Sequence, residues 1–213
     1  MIGFYNYTVY LTYASLFSAM IGVYSLAIND GKGVGIAIIC MMISGFLDLF
    51  DGIVARTKKD RTSFERRNGI QIDSLVDLVA FGVLPALIGY KIGITFWWGI
   101  IITFSYVLAS VIRLSYFNCL TEEPINPDFS GFVGVPVTSA ALVFPIVYLM
   151  KKLFERDEFK YFYALIMLTL AMLFVSKVKI KKPGKKVVIA ILLFGFLIAL
   201  AIILRYFRFK GRI

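Results

Sequence analysis

Four aspartates lie in two neighbouring apolar segments of the chain, where charged side chains are unusual. Asp48 and Asp51 come near the end of GVGIAIICMMISGFLDLFDG, and Asp73 and Asp77 follow in GIQIDSLVDLVAFGV. A charge near the centre of a bilayer costs about 2.5–3.5 kcal/mol on insertion scales, so such carboxylates need compensation. Divalent cations supply it, and oxygen-only ligand sets suit Mg²⁺, Mn²⁺ or Ca²⁺. Four carboxylates from two helices could hold two ions, an arrangement suited to gripping a diphosphate.

The spacing of these aspartates predicts that they share helix faces with small residues. On a helix, positions i, i+3, i+4 and i+7 lie on one face. Small residues on that face let a ligand or another backbone come close. Two such stripes follow: Gly45, Asp48, Gly52 and Ala55, with Asp51 beside them, and Gly69, Asp73 and Asp77.

The residues alone leave other interpretations open. The aspartates could pair with arginines or cap helix ends, and in a cation-coupled transporter they could line a proton or sodium pathway. The neighbouring glycines favour a bulky ligand over a bare ion. The chain contains no histidine, which excludes a His-ligated metal and a His general base. Acid–base chemistry at neutral pH then falls mainly to carboxylates.

Long apolar runs dominate the chain, since 60% of its 213 residues are hydrophobic. They predict an all-α, polytopic transmembrane bundle, which we interpret as one domain over residues 1–213 with its motif region at 48–77. The net charge of +10 is typical of basic residues at cytoplasmic membrane borders, and we expect no nucleic-acid partner. Seven apolar segments are long enough to span a bilayer: 8–29, 33–55, 70–90, 94–117, 133–150, 159–176 and 185–206.

The distribution of Lys and Arg predicts the orientation. The loop TKKDRTSFERRN, residues 57–68, is basic and should face the cytoplasm, which places the aspartates at the cytoplasmic side of the cell membrane. The basic loop at 176–186 falls on the same side, whereas the basic tail at 205–212 falls on the other and disagrees. The loop at 118–131 contains no Lys or Arg.

The spacing of the motif residues resembles the signature of a known family. Asp48-x-x-Asp51-Gly52-x-x-Ala55-Arg56 followed by Gly69-x-x-x-Asp73-x-x-x-Asp77 is similar to that of the CDP-alcohol phosphotransferases and contains every fixed residue. The twelve residues between Arg56 and Gly69 make a longer connection than the family usually has. Within the family, three segments are similar to the CDP-diacylglycerol–serine O-phosphatidyltransferases: IDSLVDLVAFGVLPA (72–86), IRLSYFN (112–118) and GVPVTSAA (134–141).

The resemblance implies a reaction in phospholipid biosynthesis. The hydroxyl of L-serine would attack the β-phosphorus of CDP-diacylglycerol or an ether-lipid equivalent, and CMP would leave. Membrane lipids would surround such an enzyme, and the resemblance implies a homodimer. The last two predicted helices contribute little to the resemblance, as expected if the family core has six helices and the C-terminal part is an addition. The resemblance implies these roles: Asp48, Asp51 and Asp73 as ligands of two Mg²⁺ or Mn²⁺ ions, Asp77 as general base and further ligand, and Gly52, Ala55, Arg56 and Gly69 beside the CDP group.

The acceptor site is less well defined by the sequence. Arg113 lies late in an apolar run and could bind a serine carboxylate or a phosphate, or it could reach the cytoplasmic headgroups. Asn118 and Thr121 could hydrogen-bond the serine. Arg56 could equally lock the motif helix through a carboxylate. Glycerol phosphate or inositol phosphate remain alternative acceptors, although their extra phosphate should demand more Lys or Arg than the loop at 118–131 offers.

Overall fold

The computed structural model describes residues 5–28, 33–55, 57–58, 60–122, 132–180 and 185–210. Helices make up most of these ranges, which also contain one antiparallel pair of two-residue strands. The elements are α1 (Tyr10–Ile28), α2 (Gly33–Ala55), α3 (Ser63–Asp77), α4 (Leu84–Ile92), α5 (Gly99–Glu122), α6 (Ala140–Met150), α7 (Arg156–Val175) and α8 (Lys185–Lys210), with β1 (Phe132–Val133) antiparallel to β2 (Lys179–Ile180) and 3₁₀ turns at Tyr7–Val9, Val137–Ser139 and Lys151–Leu153.

The predicted all-α polytopic bundle is confirmed, and the chain is an integral membrane protein. Each of the seven predicted segments coincides with helix. Not all of these helices are long enough to cross a membrane on their own, because α6 has only 11 residues. Of the apolar stretch in α8, the part whose side chains the structure describes is Ala190–Leu204. Within the described ranges, five helices are long and apolar enough: Tyr7–Ile28, Gly33–Ala55, Ser63–Ile92, Gly99–Leu120 and Asp157–Val175.

The third span begins earlier than the apolar pattern predicted. The hydroxyl of Thr62 accepts a hydrogen bond from the backbone N–H of Glu65 at 3.1 Å and caps the start of α3. The polar residues from Ser63 to Asn68 then form helix outside the apolar stretch, because the cap satisfies a donor that the first turn leaves open.

A π-helical turn, Leu78–Val83, follows Asp77 directly and joins α3 to α4. Pro85 lacks the N–H that would bond the carbonyl of Phe81 in a regular helix. The Tyr106 hydroxyl on α5 donates to that carbonyl at 2.6 Å, and the Tyr163 hydroxyl on α7 donates to the carbonyl of Pro85 at 3.1 Å. Two buried tyrosines therefore satisfy the irregular backbone next to the motif aspartates.

Small residues bring α1 close to α2 and so fix the position of the first two aspartates. The Ser15 and Ser44 hydroxyls each donate to the other residue's carbonyl, at 3.4 and 3.0 Å, and Ser18 donates to the carbonyl of Cys40 at 2.9 Å. Interhelical hydrogen bonds of this kind are typical of membrane bundles in which backbones approach closely.

The start of α6 lies later than predicted, at Ala140 instead of 133. Gly134 adopts a φ of +72°, which favours glycine, and the extended Pro136 caps the following 3₁₀ turn. Gly134 and Pro136 therefore lie before the first turn of this helix. Ala141 then packs on α2, where a Cβ added at Gly45 would lie 2.6 Å from the Ala141 Cβ.

Candidate active site

Three of the four predicted metal ligands converge between α2 and α3. Ligand oxygens of Asp48, Asp73 and Asp77 all lie within 4.8 Å of one another. Asp48 is on α2, whereas Asp73 and Asp77 are one turn apart on the same face of α3. The two helices therefore bring together carboxylates that the spacing predicted to face one another.

Asp51 lies beside this group and is turned toward α1. Its buried carboxylate accepts a hydrogen bond from the Thr12 hydroxyl, with 3.0 Å between Thr12 Oγ1 and Asp51 Oδ2. Like Asp73, it lines the cavity described below. Asp51 thus adjoins the other three carboxylates, and Thr12 fixes its orientation.

The donor set suits a hard divalent cation. Carboxylate oxygens at this separation repel one another unless a cation lies between them, and oxygen ligands are those that Mg²⁺ and Mn²⁺ prefer. In the described part of the chain, no salt bridge joins these aspartates to Lys or Arg. Asp77, at the junction of α3 and the π-helical turn, makes no side-chain capping hydrogen bond. The described residues therefore favour neither arginine pairing nor helix capping, while Arg56 lies outside them.

A cavity of about 820 Å³ opens beside Asp51 and Asp73. Its volume falls within the range of small-molecule sites, roughly 300–1,000 Å³. Four elements and one connection enclose it. The lining residues are Thr8 and Val9 in the first 3₁₀ turn, Thr12 on α1, Asp51, Gly52 and Ala55 on α2, Lys58, Arg61 and Thr62 in the connection, and Ser63, Arg66, Gly69, Ile70 and Asp73 on α3.

The predicted nucleotide-binding residues lie on the wall of this cavity. A Cβ added at Gly52 would meet no atom within 4 Å, so the space above it is open. A Cβ at Gly69 would lie 2.6 Å from Nη2 of Arg61, so that guanidinium covers Gly69. Ala55 lines the same wall, whereas Arg56 falls outside the described residues.

Basic side chains surround the mouth of the cavity, and one of them is held by a buried carboxylate. Lys58 Nζ donates to Glu65 Oε1 at 2.8 Å, and this hydrogen bond raises the pKa of Lys58. The Asn6 side chain donates to the same oxygen. Glu65 therefore ties the residues before α1 to the connection between α2 and α3. Sequence reasoning missed Glu65, Asn6 and Thr12, because nothing in their spacing marks a tertiary contact.

Arg113, the first acceptor candidate, is held by protein groups. Its side chain is 5% exposed, Nη2 donates to the carbonyl of Gly134 at 3.1 Å, and the guanidinium carbon lies 4.1 Å from the centre of the Phe117 ring. Such burial disfavours the alternative in which Arg113 reaches lipid headgroups. Instead, Arg113 ties α5 to the segment that precedes α6.

Asn118, the second acceptor candidate, links α5 to α3. Its Oδ1 accepts from the Ser74 hydroxyl at 2.8 Å, and its Nδ2 donates to Gln71 Oε1 at 3.2 Å. It therefore contacts the residue that follows Asp73. The backbone of Thr121 belongs to α5, but its side chain falls outside the described residues. Neither Arg113 nor Asn118 is among the described residues that line the cavity.

Comparison with known proteins identifies the family. The model of the CDP-alcohol phosphatidyltransferase family matches residues 5–208. The chain belongs to this family. The predicted resemblance is therefore confirmed, and it extends beyond the motif helices to nearly all of the chain. A comparison with solved structures found no match.

Three relatives with curated names carry serine in those names. The chain is 34% identical over 144 residues to the CDP-diacylglycerol–serine O-phosphatidyltransferase of Helicobacter pylori, covering 65% of this chain and 57% of that protein. It is 31% identical over 166 residues to the archaetidylserine synthase of Methanothermobacter thermautotrophicus, covering 78% and 66%. It is 33% identical over 135 residues to the Saccharomyces cerevisiae CDP-diacylglycerol–serine O-phosphatidyltransferase, covering 56% and 48%. The aligned region thus spans less than two thirds of each relative.

Proposed function

We propose that this chain is a phospholipid-synthesising transferase that moves the phosphatidyl group of a CDP-linked lipid to L-serine and releases CMP. The observation that carries the proposal is the convergence of Asp48, Asp73 and Asp77 within 4.8 Å. Beside it, Asp51 and Asp73 border a cavity with an open glycine wall and a basic mouth. The names of the relatives support serine as acceptor, and the lipid could be CDP-diacylglycerol or its ether-linked equivalent.

The charge distribution around the cavity is complementary to a bound CDP-lipid. Two carboxylates, Asp51 and Asp73, line it together with three basic residues, Lys58, Arg61 and Arg66. We assign Asp48, Asp51 and Asp73 as ligands of two divalent ions, with Asp77 as a further ligand. When bound, such ions neutralise the diphosphate and stabilise the charge that moves onto CMP. Gly52, Ala55 and Gly69, with Arg56, would then border the cytidine, where small side chains permit close approach.

The transfer itself requires one proton acceptor. The serine hydroxyl oxygen forms a bond to the β-phosphorus while the bond from that phosphorus to the CMP oxygen breaks, and CMP keeps the electron pair. Asp77 takes the hydroxyl proton as the attack proceeds. Asp77 is largely buried, with 8% of its surface exposed. Arg113, Asn118 and Thr121 remain our candidates for contacts to serine, directly or through the helices that they join.

The location of the site follows from the same reasoning. The basic connection between α2 and α3 adjoins the cavity, and basic loops favour the cytoplasmic side of a membrane. We therefore propose that the reaction takes place at the cytoplasmic surface of the cell membrane. The homodimer stays a prediction. Membership of the family disfavours the transporter hypothesis, which requires no nucleotide.

An acceptor panel tests this function. Purified protein in detergent with Mg²⁺ and CDP-diacylglycerol should release CMP and form a new lipid when L-serine is added. Parallel reactions contain glycerol phosphate, inositol phosphate or no acceptor in place of serine. A second series uses the ether lipid CDP-archaeol as the donor in place of CDP-diacylglycerol. In either series, EDTA should stop turnover until Mg²⁺ or Mn²⁺ is restored. Release of CMP with glycerol phosphate but not with serine would overturn the acceptor assignment. Serine-dependent turnover that survives exhaustive chelation would overturn the metal assignment.

A further inference from the structure

The connection between α2 and α3 places one arginine inside the cavity. Arg61 lies two residues before α3, and its side chain lines the cavity together with Gly52, Gly69 and Asp73. Its guanidinium covers Gly69, because Nη2 lies 2.6 Å from the position that a Cβ there would occupy. Arg61 therefore stands over the small-residue stripe on which the nucleotide of the proposed substrate would lie.

The hydrogen bonds of Arg61 leave part of its guanidinium unused. Nη1 donates to the carbonyl of Ala55 across 3.4 Å, which is at the upper limit for a hydrogen bond. Nε is buried and has no hydrogen-bond partner among the described residues. A buried guanidinium N–H without a partner is costly, and its planar fork matches the oxygens of a phosphate.

The other cations at the mouth of the cavity differ from Arg61. Lys58 donates to the buried carboxylate of Glu65 at 2.8 Å, so it already has an anionic partner. Arg66 is exposed, and solvent can satisfy its donors. Arg61 combines a buried Nε that has no partner among the described residues with a position over Gly69 in the cavity that Asp51 and Asp73 also line.

We propose that Arg61 contacts the nucleotide phosphate of the CDP-lipid, the phosphate that leaves as part of CMP. This inference rests on the proposed function. The guanidinium occupies the space over Gly69; when the CDP-lipid binds, it shifts from that space and pairs with the phosphate oxygens. Arg61 is thereby a residue for nucleotide recognition and for stabilising the charge on departing CMP, and the carboxylate of serine is not its partner.

Binding of CMP in the presence of Mg²⁺, measured by titration calorimetry on purified protein in detergent, tests this assignment. Arg61→Gln, which keeps an amide donor on a shorter side chain but loses the charge, should bind CMP at least tenfold more weakly. Arg61→Lys should fall between this variant and the wild type, because it keeps the charge without the fork. Arg67→Ala is the matched control, since Arg67 is exposed on the first turns of α3 and does not line the cavity; its affinity should stay within about twofold.

The outcomes separate this inference from the proposed function. A wild-type chain that binds no CMP would overturn both. If the wild type binds CMP and Arg61→Gln binds it equally well, only the role of Arg61 is overturned. The role of Arg61 in nucleotide recognition is also overturned if Arg61→Gln raises the KM for serine and leaves the affinity for CMP unchanged. Arg61 would then recognise the carboxylate of serine. Melting temperatures of the variants in detergent should match that of the wild type, so that a loss of CMP binding reports a lost contact.

Discussion

The proposed nucleotide side of the candidate site, around the cavity, and the proposed acceptor side, around Arg113 and Asn118, differ in how their polar groups are satisfied. Around the cavity, the space over Gly52 is open and Arg61 keeps a buried donor without a partner among the described residues. On the acceptor side, Arg113 donates to the Gly134 carbonyl and Asn118 bonds both Ser74 and Gln71. The first region has groups left over for a ligand, whereas in the second the protein supplies partners of its own.

This difference separates two kinds of polar residue. Groups that the fold leaves unsatisfied should lower ligand affinity or rate when they are changed, with little effect on stability. Groups that bond other helices should lower stability when they are changed, because their partners are then left buried without hydrogen bonds. Measurements of activity and melting temperature on the same variants therefore test the division.

The largest effect is expected at Asp77. Asp77→Asn keeps the shape of the side chain but cannot take the serine proton, so kcat should fall by about 10²–10⁴-fold, the usual contribution of a general base. Its melting temperature should not decrease, because the change removes one of several mutually repelling carboxylates. The rate of CMP release with saturating serine and CDP-diacylglycerol provides the measurement.

Asp60→Asn is the matched control for this variant. Asp60 lies on the exposed connection before α3, so the same loss of charge there should leave the rate near that of the wild type. Release of CMP by Asp77→Asn at the wild-type rate would show that the proton leaves by another route, and the assignment of the general base would be wrong.

A smaller effect, of a different kind, is expected at Arg113. Arg113→Ala removes the donor to the Gly134 carbonyl and the contact with the Phe117 ring. Leaving a buried acceptor unsatisfied costs about 1–3 kcal/mol, so the melting temperature in detergent should fall clearly. Arg67→Ala, at an exposed position, should leave it unchanged. An unchanged melting temperature together with a raised KM for serine would show that Arg113 binds the ligand. The proposed distinction between ligand-binding groups near the cavity and structural groups near Arg113 would then be wrong.

The same division explains how much of the site could be predicted from the sequence. The convergence of Asp48, Asp73 and Asp77 was predictable, because helical periodicity fixes which side chains share a face and short connections make the helices neighbours. The break before α6 was also predictable, since Gly134 and Pro136 carry strong backbone preferences.

Contacts between distant segments were not predictable from periodicity. The π turn after Asp77 depends on the Tyr106 hydroxyl reaching the Phe81 carbonyl from another helix. The placement of Arg61 over Gly69 depends on how the connection between α2 and α3 folds back. The buried Glu65 looked like an ordinary loop charge, because nothing local distinguishes a carboxylate that binds Lys58 and Asn6 from one that faces solvent.

The smallest effects are expected from two glycines on the same face of α2. Gly52→Ala places a methyl group in the open space of the cavity, where it meets no atom within 4 Å. Alanine is about 0.8–1.0 kcal/mol more favourable than glycine inside a helix, so the melting temperature should hold or rise. The KM for CDP-diacylglycerol should nevertheless increase several-fold, because the methyl group occupies the space assigned to the nucleotide.

Gly45→Ala, two turns earlier on the same stripe, is the matched comparison. Its new methyl group would lie 2.6 Å from the Cβ of Ala141 on α6, and overpacking of this kind typically costs about 1–3 kcal/mol. The melting temperature should therefore fall, with KM much less affected than in Gly52→Ala. The two substitutions are chemically identical, so opposite responses can come only from what faces each glycine: empty space for a ligand at 52, another helix at 45. If both variants lost stability and kept their KM, the space over Gly52 would not be a binding site, and the nucleotide would have to bind elsewhere along the cavity.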